Sequence, residues 1–136
     1  LKYLLDTNIL SEPGRKKPDL EVLTKLAANK GQCATSAISW HELQFGIQRM
    51  PAGKRRTELE LLASAYADLP VLPYDKEVAS LHARVKTGLE QAGRPMPETD
   101  GQIAATAEAH GLTLVTRNTA DFKNYPGLKL ENWFTP

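Results

Sequence analysis

The chain predicts a three-layer α/β/α fold around a parallel sheet. Short strand-like runs alternate with longer helical stretches along the whole length, the mark of an α/β protein rather than a bundle or an all-β fold. Acidic residues stand where strands end or helices begin, which is the ligand-binding edge of such sheets. Crossovers between parallel strands are right-handed, and with this alternation the expected strand order is 3-2-1-4-5. The switch point then falls between strands one and four, with Asp6 and Asp121 flanking it.

Residues 2–5 make the first strand, and Glu12-Pro13-Gly14 breaks the chain. Pro18-Asp19 starts a helix through Leu20, Leu23, Leu26 and Ala27 that ends near Lys30-Gly31. Cys33 to Ser36 form the second strand. Ser39 is the expected N-cap of the next helix, which carries Trp40, Leu43, Ile47 and Met50 on one face. Pro51-Ala52-Gly53 turns the chain into a helix from about Arg55 to Leu69, with Leu59, Leu62 and Tyr66 at helical spacing. Val71-Leu72 is a short third strand closed by Pro73. Asp75 caps a helix with Val78, Leu81, Val85 and Leu89 on its buried face. Gly93-Arg94-Pro95-Met96-Pro97 bends the chain before a helix that begins near Glu98. Leu112 to Thr116 give the fourth strand and Leu128-Lys129-Leu130 the fifth. With no repeat, low-complexity tract or linker, residues 1–136 read as a single domain.

Composition narrows the class without naming a partner. The 136 residues are 41% hydrophobic and 24% charged, ordinary for a soluble globular chain large enough to bury a core. The net charge of +1 points neither toward nor away from nucleic acid. Positive charge is local, in Arg15-Lys16-Lys17 and Lys54-Arg55-Arg56, and such runs are often only solvated loops. A single cysteine, Cys33, excludes an internal disulfide framework and a cysteine-rich zinc site, and its strand position marks a buried structural thiol. No stretch approaches the ~18 apolar residues of a membrane span, and no signal-peptide pattern opens the chain. The expected location is cytoplasmic, away from any membrane.

Chemistry concentrates in four acids. Asp6 ends the first strand, and Glu42 lies in the first turn or two of the helix after Ser36. Asp100 opens the helical run through Ile103, Ala104 and Ala107, and Asp121 follows the fourth strand. Helices run antiparallel to the strands of a parallel sheet, so these positions gather at one edge. Carboxylates sharing a small pocket raise each other's pKa or push apart. A divalent cation offsets that repulsion, and hard oxygen ligands favour Mg²⁺ or Mn²⁺.

Each acid also has a plainer reading. Asp6-Thr7-Asn8 suits a simple strand-ending turn as well as a metal-holding Asp6 with Thr7 and Asn8 orienting the ion or a phosphate. Asp100 complements a helix dipole equally well, although its alignment at i+3, i+4 and i+7 with apolar residues sets it on the buried stripe. Asp121 serves either as a fourth acid or as a helix cap. Arg117 is suited to a substrate phosphate or to the acid cluster itself, and Asn118 to ligation or to positioning a water. Gly46, one turn from Glu42, leaves open space beside the carboxylate or permits close helix packing. His41-Glu42 begins a zinc-protease pattern, but position 45 is Phe, so the pattern fails. His41, His82 and His110 read as helix-surface or helix-end residues, and Trp40 and Trp133 as packing residues. The sequence contains no GxGxxG, no phosphate-binding Walker loop and no interpretable Ser-His-Asp arrangement.

Taken in order, several segments resemble the PIN-domain ribonucleases, and most closely the VapC-type toxins of bacterial toxin–antitoxin pairs. The matching text begins with Leu4-Leu5-Asp6-Thr7-Asn8, Ser36-Ala37-Ile38, Glu42-Leu43 and Gly46. It continues with Asp100, Ile103-Ala104-Ala105-Thr106-Ala107 and Leu114-Val115-Thr116-Arg117-Asn118. It closes with Asp121-Phe122, Gly127-Leu128 and Glu131-Asn132-Trp133. The resemblance implies Mg²⁺- or Mn²⁺-dependent cleavage of single-stranded or loop RNA, with Asp6, Glu42 and Asp100 as the principal metal-binding acids. Asn118 and Asp121 share the family's fourth acidic place, so the resemblance leaves open whether one metal binds or two. It implies supporting roles for Thr7, Asn8, Ser36, Thr116 and Asn118. Arg15, Lys16, Lys17, Arg117 and the 54–56 run are the expected holders of the RNA backbone. A small cognate antitoxin and a homodimeric assembly are the expected partners. Glu98 is a further acid without an assigned role.

Two other functions compete. A non-catalytic RNA-binding PIN domain keeps the fold without the chemistry, and divalent-ion-dependent cleavage separates it from a nuclease. A phosphoacceptor signalling receiver shares the sheet, but it needs an acid pair after strand one and an Asp after strand three. Here a single Asp precedes Thr7-Asn8, and the third strand ends in Pro73-Tyr74.

Overall fold

Parallel strands cannot be joined by tight turns, so each connection must cross the sheet, and helices supply the crossings here. The computed structural model describes residues 1–136. Its strands are β1 (Tyr3–Leu5), β2 (Cys33–Ser36), β3 (Val71–Leu72), β4 (Thr113–Val115) and β5 (Leu130–Glu131). They form one parallel sheet in the order β3-β2-β1-β4-β5, the expected order and one that the crossover rule allows. The register pairs Leu4 with Ala34 on one side and with Leu114 on the other, placing β1 at the centre.

The helices are α1 (Thr7–Ser11), α2 (Leu20–Ala28), α3 (Ala37–Gln48), α4 (Lys54–Ser64), α5 (Lys76–Gln91), α6 (Glu98–Ala109) and α7 (Thr119–Phe122). A 3₁₀ turn at Glu12–Gly14 follows α1. Successive strand residues face opposite layers. Leu4, Ala34 and Leu114 pack with Val78 of α5 and Ile103, Ala104 and Ala107 of α6. Leu5, Cys33 and Val115 pack with Ile9, Leu10, Val22, Leu43 and Ile47 from the opposite helices. Both faces are thus covered, as a parallel sheet requires. Leu4 is fully buried, and its truncation to Ala is expected to cost roughly 2–5 kcal/mol. The Cys33 thiol is buried, and that burial pushes its pKa up to about 11, so it stays protonated and inert.

Five local expectations are corrected. Helix α3 is capped by Ser36, not Ser39: the Ser39 backbone N–H donates to Ser36 Oγ at 3.0 Å. Strand β2 passes into α3 without a loop, so its last residue already has the extended backbone a cap needs. Helix α4 stops at Ser64 rather than Leu69. Tyr66 is held by its hydroxyl, which donates to the Leu10 carbonyl at 2.6 Å, while the chain turns toward β3. Five residues after Asp6 form a helix that was not expected, and the fifth strand is Leu130–Glu131 rather than 128–130. His82 is buried, not on the helix surface. Its Nδ1 lies 2.7 Å from the Tyr74 hydroxyl, and its ring fills the space left by Gly101, where a Cβ would stand 2.5 Å from Nε2. Its position one turn after Val78 is the sequence sign of that burial.

Candidate active site

Asp6 leaves β1 at the centre of the sheet with its backbone N–H still donating to Val115 of β4. It is the N-cap of α1, and its Oδ1 accepts the Thr7 N–H at 2.8 Å. The same oxygen accepts the Ser39 hydroxyl at 3.4 Å, and Oδ2 accepts the Thr116 hydroxyl at 2.8 Å. Ser39 is reached in turn by the Ser36 hydroxyl at 3.2 Å. Asn8 ties the neighbouring strand end down: its side-chain N–H donates to Thr116 Oγ1 at 3.3 Å, and its oxygen accepts the Arg117 N–H at 3.1 Å. Thus β1, β2 and β4 all contribute to holding one carboxylate. Strand ends fix these groups more tightly than a free loop does.

Glu42 stands on the second turn of α3, which starts at the same sheet edge, and accepts the Thr7 hydroxyl at 3.3 Å. Asp100 lies in the first turn of α6, beside the stripe Ile103, Ala104 and Ala107. Asp121 sits inside α7 and is exposed; the residue preceding that helix is Asn118, so Asp121 is not its cap. Asn118 is also exposed and donates its backbone N–H to Thr116 Oγ1 at 3.1 Å.

Electrostatics bind the acids into one group. Burial raises the pKa of Glu42, and the charges of Asp6 and Asp100 push it further. Burial likewise raises Asp100, with added repulsion from Asp6 and Asp121. None of the four forms an ion pair; the ion pairs of the molecule involve Glu12, Glu58, Glu60 and Glu98 instead. Glu98 is spoken for: it meets Lys86 at 2.5 Å and lies 4.0 Å from His82.

This donor set suits a hard divalent cation, being all carboxylate, mutually repelling and free of basic partners. As the side chains stand, no three acids converge at ligating distance, and the Glu42 carboxylate is turned toward Thr7.

The basic candidates divide. Arg15, Lys16 and Lys17 are exposed on the loop after the 3₁₀ turn. Arg117 is exposed but stacks over Phe134, 4.6 Å from the ring centroid, and does not neutralise the acids. Arg56 is tied to the Met50 carbonyl and Gln48. Two residues of the site escaped sequence reading. Ser39 supplies a hydroxyl to Asp6, and its one sign was its place three residues before Glu42 on the same helix. Glu12 is a buried acid that organises the basic loop, accepting the Asp19 N–H at 2.8 Å, with Arg15 at 3.8 Å.

Residues 3–128 match the PIN domain. The chain belongs to the PIN-domain family. Within it, a VapC ribonuclease, Y4jK of Sinorhizobium fredii, is 38% identical over 98% of both chains. The tRNA(fMet)-specific endonuclease VapC of Shigella flexneri is 32% identical over the same shares. The crystal structure of FitAcB from Neisseria gonorrhoeae superposes with a TM-score of 0.86, at 33% identity and 96% coverage of each chain. A toxin–antitoxin complex from Klebsiella pneumoniae superposes at 0.71, with 27% identity, covering 93% of this chain and 95% of that one. This PIN domain is therefore a VapC-type member. No helix is long and apolar enough to cross a membrane.

Proposed function

We propose that this PIN domain is a divalent-metal-dependent endoribonuclease and the toxin of a toxin–antitoxin pair. The observation that carries the reading is a set of four acids at the carboxyl edge of the sheet with no basic partner among them. Asp6, Glu42 and Asp100 would hold Mg²⁺ or Mn²⁺, with Asp121 at the rim. When bound, such an ion supplies Lewis acidity, lowering the pKa of water and offsetting charge on a phosphate. Asp6 is fixed by the hydroxyls of Ser39 and Thr116 and by its own helix N–H, so its carboxylate is held in one orientation. Glu42 and Asp100 have raised pKa values, which suits a carboxylate oxygen that takes a proton from an attacking water. Arg15, Lys16, Lys17 and Arg117 are exposed and would meet backbone phosphates without reading sequence. The substrate is single-stranded or loop RNA, in keeping with the tRNA-specific activity in the name of the Shigella flexneri relative.

An active nuclease needs restraint, and the Klebsiella pneumoniae complex supports a protein inhibitor. An apolar cavity of about 520 Å³ opens between α2, α4 and β2, lined by Leu23, Leu26, Cys33, Leu62, Tyr66 and Leu69. It is the natural seat for an apolar antitoxin segment, with a basic side chain reaching the acids. The test is cleavage of RNA by the purified protein with Mn²⁺ and with chelator, beside Asp6→Asn. Cleavage that needs Mn²⁺ and is lost in the variant is expected, as is growth arrest relieved by the co-expressed neighbouring small protein. Metal-independent or absent cleavage would overturn the reading.

A further inference from the structure

A second cleft adjoins the acid site at Glu42. It has a volume of about 290 Å³, and its wall nearest the acids carries Thr7, Ser11 and Glu42. The facing wall carries Arg15 and Arg55, from the loop after the 3₁₀ turn and from the first turn of α4. Gly46 lines the cleft as well, and a Cβ built there meets no atom within 4 Å. A side chain at position 46 would therefore project into open space rather than into packing.

The basic wall is built. Gly14 packs so closely on α4 that a Cβ would stand 2.8 Å from the Leu62 side chain and 3.1 Å from that of Leu59. Arg55 donates to the Gly14 carbonyl across the same junction. Behind the loop, buried Glu12 accepts the Asp19 N–H and holds Arg15 from below. Both guanidinium groups remain substantially exposed, with side-chain accessibilities of 60% for Arg15 and 43% for Arg55. Their carboxylate neighbours, Glu12 and Glu58, lie at 3.8 and 3.6 Å, loose for a bidentate pair, so donors are left for a ligand.

We propose that this cleft is a phosphate subsite, in which Arg15 and Arg55 hold the RNA phosphate next to the one at the acids. The inference rests on the nuclease reading above and adds a place and partners for the flanking nucleotide. A cleft with an acid wall for a cation and a basic wall for an anion suits a phosphodiester strand laid across both. A segment that carried an arginine toward the acids would meet two like charges here, which favours RNA over an inhibitor in this cleft.

The experiment measures binding of a fluorescein-labelled, mixed-sequence single-stranded RNA by anisotropy over a range of salt, using Asp6→Asn protein so that nothing is cut. Onto this background go Arg15→Gln, Arg55→Gln, Gly46→Leu and, as a control in the turn after α2, Lys30→Gln. Each lost phosphate contact should lower the slope of log K against log salt by about 0.7 and weaken binding at low salt. Gly46→Leu should weaken binding by obstruction with the slope less affected, and Lys30→Gln should change neither. In the cleaving protein, Arg15→Gln should raise KM for RNA with kcat nearly kept. Arg55 also braces the loop, so its melting midpoint is checked; Arg15→Gln and Gly46→Leu decide the matter should Arg55→Gln unfold. Slopes and affinities unchanged in both would overturn the subsite, as would variants that weaken only an antitoxin or an acidic peptide. Such a result alongside Mn²⁺-dependent cleavage by the unaltered protein would sink this inference alone and leave the nuclease reading intact.

Discussion

Asp6 and Glu12 are both buried carboxylates on the same stretch of chain, 8% and 4% exposed, yet the protein treats them in opposite ways. Glu12 is given an arginine and a backbone N–H, and its charge is matched inside the fold. Asp6 receives only hydroxyls and the first N–H of its own helix, and its nearest charges are the acids that it pushes upward in pKa. A buried charge costs the fold unless something offsets it. Where the protein itself supplies the offset, the acid is structural. Where the offset is missing, the site is prepared for a charge from outside.

The largest effect that would break this contrast is on cleavage. Asp6→Asn removes the best-held ligand, and Mn²⁺-dependent RNA cleavage should fall at least about 100-fold, on the scale of losing one stabiliser of developing charge. The variant should melt no lower than the unaltered protein without metal. Retained activity would take Asp6 out of the site.

Glu12→Ala should show the reverse pattern. It strips the Asp19 N–H and Arg15 of their acceptor, and the expected cost is roughly 1.5–3 kcal/mol in urea unfolding. The folded protein should keep its kcat. A variant as stable as the parent would show that the loop is not held by this acid.

That contrast was only half legible in the sequence. The alternation of strands and helices marked the parallel α/β class, because it acts over long stretches where local detail averages out; handedness only narrowed the strand orders, and the expected 3-2-1-4-5 is the one observed. The placement of Asp6, Glu42 and Asp100 at one edge followed from the same logic. Short features were not legible. Helix α1 is five residues, too few to show a period, and depends on the cap that Asp6 provides. Ser36 and Ser39 are equally good caps by composition, and only the direct passage from β2 to α3 chooses between them. His82 is polar by type, yet the gap at Gly101 and the Tyr74 hydroxyl make a place for it in the core. What separates Glu12 from Asp6 is likewise a set of contacts that no spacing encodes.

A smaller effect concerns pH. Glu42 and Asp100 have folded-state pKa values above their ordinary ones, so the folded chain holds their protons more tightly than the unfolded chain. Protonation therefore favours the fold, and that advantage is lost as pH rises through the raised values. At neutral pH without divalent ions the repulsion is fully developed, and Asp100→Asn should raise the melting midpoint on the order of a few °C. The gain should shrink as pH falls through the ordinary carboxylate range, where the parent's Asp100 takes up its proton as well. Mn²⁺ should raise the midpoint of the parent more than that of the variant. A gain that grew toward low pH would reverse the sign and refute the uncompensated cluster.

The smallest expected effect is at Glu98, which sharpens the contrast because it stands two residues from Asp100 in the same first turn of α6. Its carboxylate is paired with Lys86 of α5, and that pair lowers its pKa while raising that of Lys86. By the argument from Glu12, an acid with its own cation is not waiting for another. Exposed pairs contribute little to stability and are screened by salt. Glu98→Gln should thus leave the melting midpoint within error at physiological salt, and leave both cleavage and its Mn²⁺ dependence as they were. Its folded-state pKa is lowered, so what little it contributes is present above the ordinary carboxylate range and fades as pH falls through the depressed value. If Glu98→Gln instead abolished cleavage as Asp6→Asn is expected to, the presence of a basic partner would not distinguish structural acids from site acids in this fold. The Lys86 pair would then be a resting contact, exchanged for the cation on binding.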